Sequence, residues 1–295
     1  MKSLFLSSTR DSSGFRSSQS GTTLIELMVG ITIGLLTVAV ATGALMISRT
    51  VSGTVTDASQ LQQQASYAFR VLGQQLRQAG SMRLNLAANK TEGETIDPAD
   101  VVAFAPDQNM QPSFPGGPAS TPPVSGKDSP SGSEYALSVA YQNYAEKSFT
   151  ASADMSFFRD CSGTGSSPAS TPIIQSNFVL KSGELYCGTQ PVLRNVADFQ
   201  VRYLMQSDAA VGTPKIQIAN AATASANWFQ VFGVEVCLVL YGDEVIDMPA
   251  GSEYVGCDGT KVNMSSSGSL SSSRKNRMHM SFRNVYQLRS QGLTG

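Results

Sequence analysis

Histidine occurs once in the 295 residues, as His279, and tryptophan once. The HExxH, GxSxG, P-loop and dinucleotide-fingerprint patterns are absent. Each of those patterns places a particular group: two imidazoles on a metal, a serine on a sharp turn, backbone amides around a phosphate. Without them no reaction is indicated, and the chain is read as a non-enzyme. His279 falls on the polar side of a strand-like stretch and is read as a solvated surface residue. No Cys-x-x-Cys and no cysteine–histidine zinc spacing is present, so no metal is expected. Asp258-Gly259-Thr260-Lys261 lacks the ligand spacing of an EF-hand, and Asp243, Glu244 and Asp258 read as solvated carboxylates in turns. No cofactor is implied. Charge is scarce too: 15% of residues are charged and the net charge is -1, with no basic excess of the kind nucleic-acid binding requires. No internal repeat is found.

One local absence organises the rest. Between Leu27 and Ile47 there is no charged residue. As a helix that run would be about 31 Å long at ~1.5 Å per residue, enough to cross a bilayer core from about residue 27 to 47. Glu26 stands at its front edge, where a carboxylate at the lipid boundary marks a functional position. Ahead of it Lys2, Arg10 and Arg16 face a single acid, Asp11, while Arg49 is the first cation beyond the run. The positive-inside rule then puts the leader in the cytoplasm and the bulk of the chain across the membrane. A secretory signal is cut after its apolar core; here the small residue, Gly21, precedes the core. All four cysteines lie on the far side, where oxidation favours disulfides. Four cysteines allow three pairings. The sequential pairs Cys161–Cys187 and Cys237–Cys257 each close a local loop and are the expected ones.

Past Ile47 the apolar residues thin to Val51, Val55, Ala58, Leu61, Ala65, Ala68, Phe69, Leu72, Leu76 and Ala79, largely in steps of three and four. That spacing predicts one apolar stripe on a continuing helix, with glutamines and arginines on the other side and a stop at Gly80. Residues 81–133 read as a connection that grows rich in Pro, Gly and Ser (Pro112 to Pro123), with one short strand near Val101–Phe104. From 134 to 295 strand signals dominate. Tyr135–Tyr141 and Met155–Phe158 are weak ones. Phe178–Leu180 and Leu185–Cys187 flank a Ser182-Gly183 turn. Phe199 to Met205, Phe232 to Leu240 and Met278 to Leu288 alternate apolar and polar residues. Period two with one polar side predicts an antiparallel sheet covered on one face, and the helical stripe supplies the cover. The fold class is therefore α+β: a long N-terminal helix, half in the membrane and half amphipathic, packed on an antiparallel sheet.

The order of Gly21, Thr23, Leu24, Ile25 and Glu26 before an apolar helix resembles the class III signal of type IV prepilins, with Thr22 where that signal usually has Phe or Met. The resemblance implies a leader of residues 1–21, removed by a prepilin peptidase between Gly21 and Thr22. It further implies N-methylation of Thr22 and an assembly role for Glu26. Downstream, Gln75–Gly80, Leu185-Tyr186-Cys187, Val196–Tyr203 and Arg283–Arg289 resemble, in order, stretches of PilW-type minor pilins. That family implies the pilin fold, a part in starting pilus assembly and a place in the tip complex. Its partners would be other minor pilins, the major pilin and a large tip-associated protein. A minor pseudopilin of a type II secretion system shares the same signal and fold. A membrane-anchored periplasmic binding module that never polymerises is the third reading, and it alone forgoes processing at Gly21.

Overall fold

The computed structural model describes residues 21–91, 94–104, 121–147, 154–168, 170–207, 215–246, 248–265 and 270–288. The leader ahead of Gly21, the run from Pro112 to Pro118 and Arg289 lie outside them. The chain divides into two compact units, Met1–Ser52 and Gly53–Gly295. One helix, α1 (Leu24–Gln78), contributes to both.

In the first unit every residue from 21 to 49 is exposed. Leu, Met and Ala are good helix formers, and the β-branched residues and Gly30, Gly34 and Gly43 between them weaken the run without ending it.

In the second unit α1 buries one side, Asp57, Leu61, Ala65, Ala68, Leu72 and Leu76, continued by Ala79 just past its end. Val55, expected on that stripe, is 63% exposed, and Asp57 takes the place in the row. The buried stripe is thus shorter than the spacing predicted: it begins at Asp57, which accepts the Glu244 N–H. The helix stops where Gly80 adopts φ +68 and donates its N–H to the Ala140 carbonyl at 2.8 Å.

The strands are β1 (Leu84–Asn85), β2 (Ala103–Phe104), β3 (Val124–Ser125), β4 (Leu137–Gln142), β5 (Ile173–Lys181), β6 (Glu184–Cys187), β7 (Gln190–Leu193), β8 (Val196–Ser207), β9 (Lys215–Ala219), β10 (Val231–Tyr241), β11 (Glu253–Val255), β12 (Lys261–Asn263) and β13 (His279–Gln287). A one-turn helix, α2 (Ala221–Ala224), follows β9. All strand pairs are antiparallel, but they form two principal sheets where one was expected: β13-β10-β8-β9 and β3-β4-β5-β6-β7. β1–β2 and β11–β12 are separate two-stranded pairs. The division occurs because β7 turns directly into β8 through Asn195 at φ 56, so consecutive strands enter different sheets. The turn between β5 and β6 is Ser182 at φ 51 and Gly183 at φ 81, a primed pair that suits strand twist.

Both principal sheets share one core with α1. Leu137, Val139, Phe178 and Leu185 come from the five-stranded sheet, and Tyr203, Val234, Val236, Leu238, Leu240 and Tyr286 from the four-stranded one. Two further expectations change. β3 lies inside the stretch read as a connection, yet Val124 is fully buried and pairs with Val139. Met155–Phe158 forms only an isolated bridge, Glu146 with Met155, in place of a strand.

Candidate assembly site

The start of α1 is built by its own first residues. Thr23 precedes the first helical residue, its carbonyl accepts the Leu27 N–H at 3.1 Å, and its hydroxyl accepts the Glu26 N–H at 3.3 Å. This is an N-cap, and Thr23-Leu24-Ile25-Glu26 has the Thr-x-x-Glu order of a capping box. The Thr-x-x-Glu order is visible in the sequence, where it coincides with the processing signal. Gly21 and Thr22 are exposed and outside the helix, and Glu26 is exposed in its first turn. Among the described residues the Glu26 carboxylate has no ion-pair partner.

Beyond Glu26 the surface is apolar and bare. Leu27, Leu36 and Met46 are exposed, as is every residue between them. The polar side chains between Leu27 and Ile47 are Thr32, Thr37 and Thr42. Their hydroxyls donate back to the carbonyls of Val29 (2.9 Å), Gly34 (2.8 Å) and Val38 (2.7 Å). The stretch therefore presents no unsatisfied side-chain polar group to an apolar surrounding. This is the one helix among the described residues long and apolar enough to cross a membrane. A Cβ added at Gly30 or Gly34 would meet nothing within 4 Å, so the pair leaves a smooth patch on that surface.

In the second unit three buried devices hold the helix to the sheets. Asp57 accepts the Glu244 N–H at 3.1 Å, and only glycine fits opposite, since a Cβ at Gly242 would lie 2.3 Å from Asp57 Oδ2. Gly73 receives the ring of Tyr286 from β13, whose hydroxyl donates to the Phe69 carbonyl at 2.7 Å. Gln75 is buried, and its Oε1 accepts from Ser176 (2.8 Å) and Tyr141 (2.9 Å). Tyr141 also reaches the Arg159 carbonyl, and Ser176 accepts the Cys161 N–H at 2.9 Å. Burial, and then the charge of Asp160, push the Tyr141 hydroxyl far above the ordinary tyrosine range, so it stays a donor. None of these three was singled out from sequence. Asp57 and Gln75 sit in a polar helical context, and only the sheet positions decide which of several such residues are buried.

Cys161 and Cys187 are joined with Cα atoms 5.9 Å apart, and Cys237 and Cys257 with Cα atoms 5.7 Å apart. The first pair ties the segment carrying the Arg159 carbonyl to β6. The second pins the β11–β12 hairpin to β10. His279 departs from expectation: it is on the side of β13 facing away from α1, as its parity implies, but only 5% exposed. The hairpin covers it, with the Tyr254 ring stacked on the imidazole at 4.6 Å. Among the described residues no cluster of three or more His, Cys, Asp or Glu side chains could hold a metal. Asp243, Glu244 and Asp258 are exposed in turns.

No family model and no curated protein matches the chain. Among solved structures it is similar to the type IV-like pilin TTHA1219 from Thermus thermophilus, at 13% identity over 77% of this chain and 95% of that one, with a TM-score of 0.33. A likeness of that degree carries no argument about this chain.

Proposed function

We propose that the chain is a minor pilin of the PilW type, acting in the initiation of type IV pilus assembly and in the tip complex. One observation carries the reading: Gly21 to Glu26 stand in prepilin order directly before an all-exposed apolar helix, and that helix continues as the buried spine of a β-rich domain. On this reading residues 1–21 are a leader that a prepilin peptidase removes. Residues 22–80 form the long helix with its membrane segment at about 27–47. Residues 81–133 connect it to a periplasmic sheet domain, 134–295. The protein waits in the inner membrane and then enters the pilus with other minor pilins, the major pilin and a large tip-associated protein. It has no catalytic task.

Cleavage after Gly21 frees an ammonium on Thr22, which is then N-methylated. Glu26 is four residues away in an apolar setting, and an unpaired charge there is costly. Its pairing with the ammonium of an adjacent, axially staggered helix offsets that cost and fixes the stagger. Intact-mass and N-terminal analysis of protein from native membranes tests the processing: the expected mature chain begins at methylated Thr22, and one beginning at Met1 in peptidase-positive cells refutes the reading. Co-purification with the other minor pilins tests the assembly role. Glu26→Ala should be cleaved and folded normally yet recovered at least tenfold less in sheared pili or priming complexes at equal expression; unchanged recovery removes Glu26 from assembly. Co-purification with secretion-system pseudopilins in place of minor pilins would select the type II secretion role.

A further inference from the structure

The side of the four-stranded sheet that faces away from α1 is not bare at its β10–β13 end. The β11–β12 hairpin lies over it, and very little apolar contact holds it there. A small cluster of Cys237, Val239 and Cys257, with Ala197 and Tyr254 at its edge, is the whole of the shared core. The remaining links are polar. Arg283 donates to the Cys257 carbonyl at 2.9 Å, Arg202 to the same oxygen at 3.4 Å, and the Ser281 hydroxyl to the Val255 carbonyl. At the other end the hairpin rests on one flat contact, Tyr254 on His279, with ring planes 8° apart.

His279 is built in an awkward way for a polar group. Its Nδ1 lies 2.9 Å from the Arg277 carbonyl. Its Nε2 is buried and has no hydrogen-bond partner among the described residues. The surrounding groups come from every element packed there. Tyr254 of β11 covers one side of the ring, and Tyr241 of β10 is 5.8 Å away. Arg274 sits over the Tyr241 ring at 5.5 Å and donates to the Ala197 carbonyl. Asp198 of β8 and Asp258 of the hairpin turn act on Tyr254, whereas the charge acting on His279 itself is that of Arg274. A second cation on the imidazole would thus face an existing cation and have no acceptor for its new N–H. Attraction to the tyrosine face does not supply that acceptor.

We propose that the β11–β12 hairpin is a pH-sensitive clasp on this side of the sheet, with His279 as its latch. While the ring is neutral, Tyr254 lies flat on it and the clasp is shut. Protonation drives the ring toward water, lifts Tyr254, and uncovers Val239 and Ala197, while the Cys237–Cys257 bond keeps the hairpin tethered. The direction follows from burial, which holds the imidazole pKa below the ordinary histidine value; the Arg277 carbonyl opposes it and the Arg274 charge adds to it. The open form therefore binds the proton more readily than the shut form. Closure is at full strength above the ordinary histidine pKa of about 6.5 and weakens as pH falls from there toward the lowered value of the shut form.

The chain's one histidine makes the test clean. Amide hydrogen exchange of the full chain in detergent micelles, corrected for intrinsic rates, is compared at about pH 7.5 and about pH 5.5. Opening of residues 253–263 should rise, by at most about tenfold for an imidazole that titrates near 6.5 in the open form, while β10 amides keep their protection. The imidazole resonance should titrate below about 6.5. In His279→Gln the hairpin should show no such dependence. Unchanged hairpin protection in the wild type overturns the proposal. So does an imidazole titrating at or above the ordinary value, since it would not be disfavoured in the shut form. An equal rise in the variant would move the cause to a carboxyl group, and parallel loss of β10 protection would mean general unfolding; either refutes a histidine latch.

Discussion

At the scale of single residues, the junction of helix and sheet depends on side chains that look unremarkable in the sequence. Gly73 is the clearest. A glycine inside a helix costs about 1 kcal/mol relative to alanine, yet here a Cβ would sit 2.5 Å from Cε1 of Tyr286. The packing term outweighs the propensity term, so Gly73→Ala should destabilise by about 1–3 kcal/mol in spite of the better helix former. Denaturant unfolding in micelles measures it, and a gain in stability would show that the Tyr286 ring yields easily. Gln75 makes a second case. Gln75→Ala removes the acceptor of the buried Ser176 hydroxyl, at a cost of about 1–3 kcal/mol for a group left unsatisfied, while the Tyr141 hydroxyl keeps the Arg159 carbonyl. Tyr141→Phe should cost less, because it removes a donor and leaves Gln75 still bonded to Ser176. The order of the two, read by thermal unfolding, checks the network.

At the scale of elements, the disulfide Cys237–Cys257 does most to keep the β11–β12 hairpin in place. Its loop separation is 20 residues, that of Cys161–Cys187 is 26, and chain entropy alone assigns each about 3–3.5 kcal/mol. Replacing Cys237 and Cys257 together by Ser should lower stability by about 2–4 kcal/mol and raise exchange in residues 253–263 first. Non-reducing peptide mapping should recover Cys161 with Cys187 and Cys237 with Cys257; a Cys161–Cys237 peptide would disprove the pairing. The elements were unevenly legible. The 3.6-residue spacing marked the helix and Gly80 its end, because both signals are local. Alternation in Phe199–Met205 and Phe232–Leu240 marked strands and their covered face. It could not reveal that Leu185 and Phe199 enter different sheets, since parity reports burial and not the neighbouring strand. β3 is two residues long and shows no period at all. His279 was placed on the correct side of β13, but a hairpin more than fifteen residues away in sequence supplies its cover. At the candidate site, the glycine-to-glutamate order was legible because processing reads linear sequence. Asp57 and Gln75 were not, because their roles exist only after the sheets are in place.

At the scale of the whole molecule, every residue of the principal core lies at Leu61 or beyond, within the second unit. Residues 53–295 alone should therefore fold, stay soluble without detergent, and unfold at a midpoint within a few degrees of the full chain. Circular dichroism decides it; an unfolded fragment would mean that the first unit contributes to stability. The hydrogen bond from Tyr286 to Phe69 spans 217 positions of sequence. For a chain that emerges N-terminus first, the groove over Gly73 stays open until β13 arrives, and β10 lacks one neighbour for the same interval. The domain can collapse early but cannot close early. Until β13 is in place, the buried side of the helix and one edge of the central sheet are therefore exposed together, so this strand is the piece on which the whole arrangement waits.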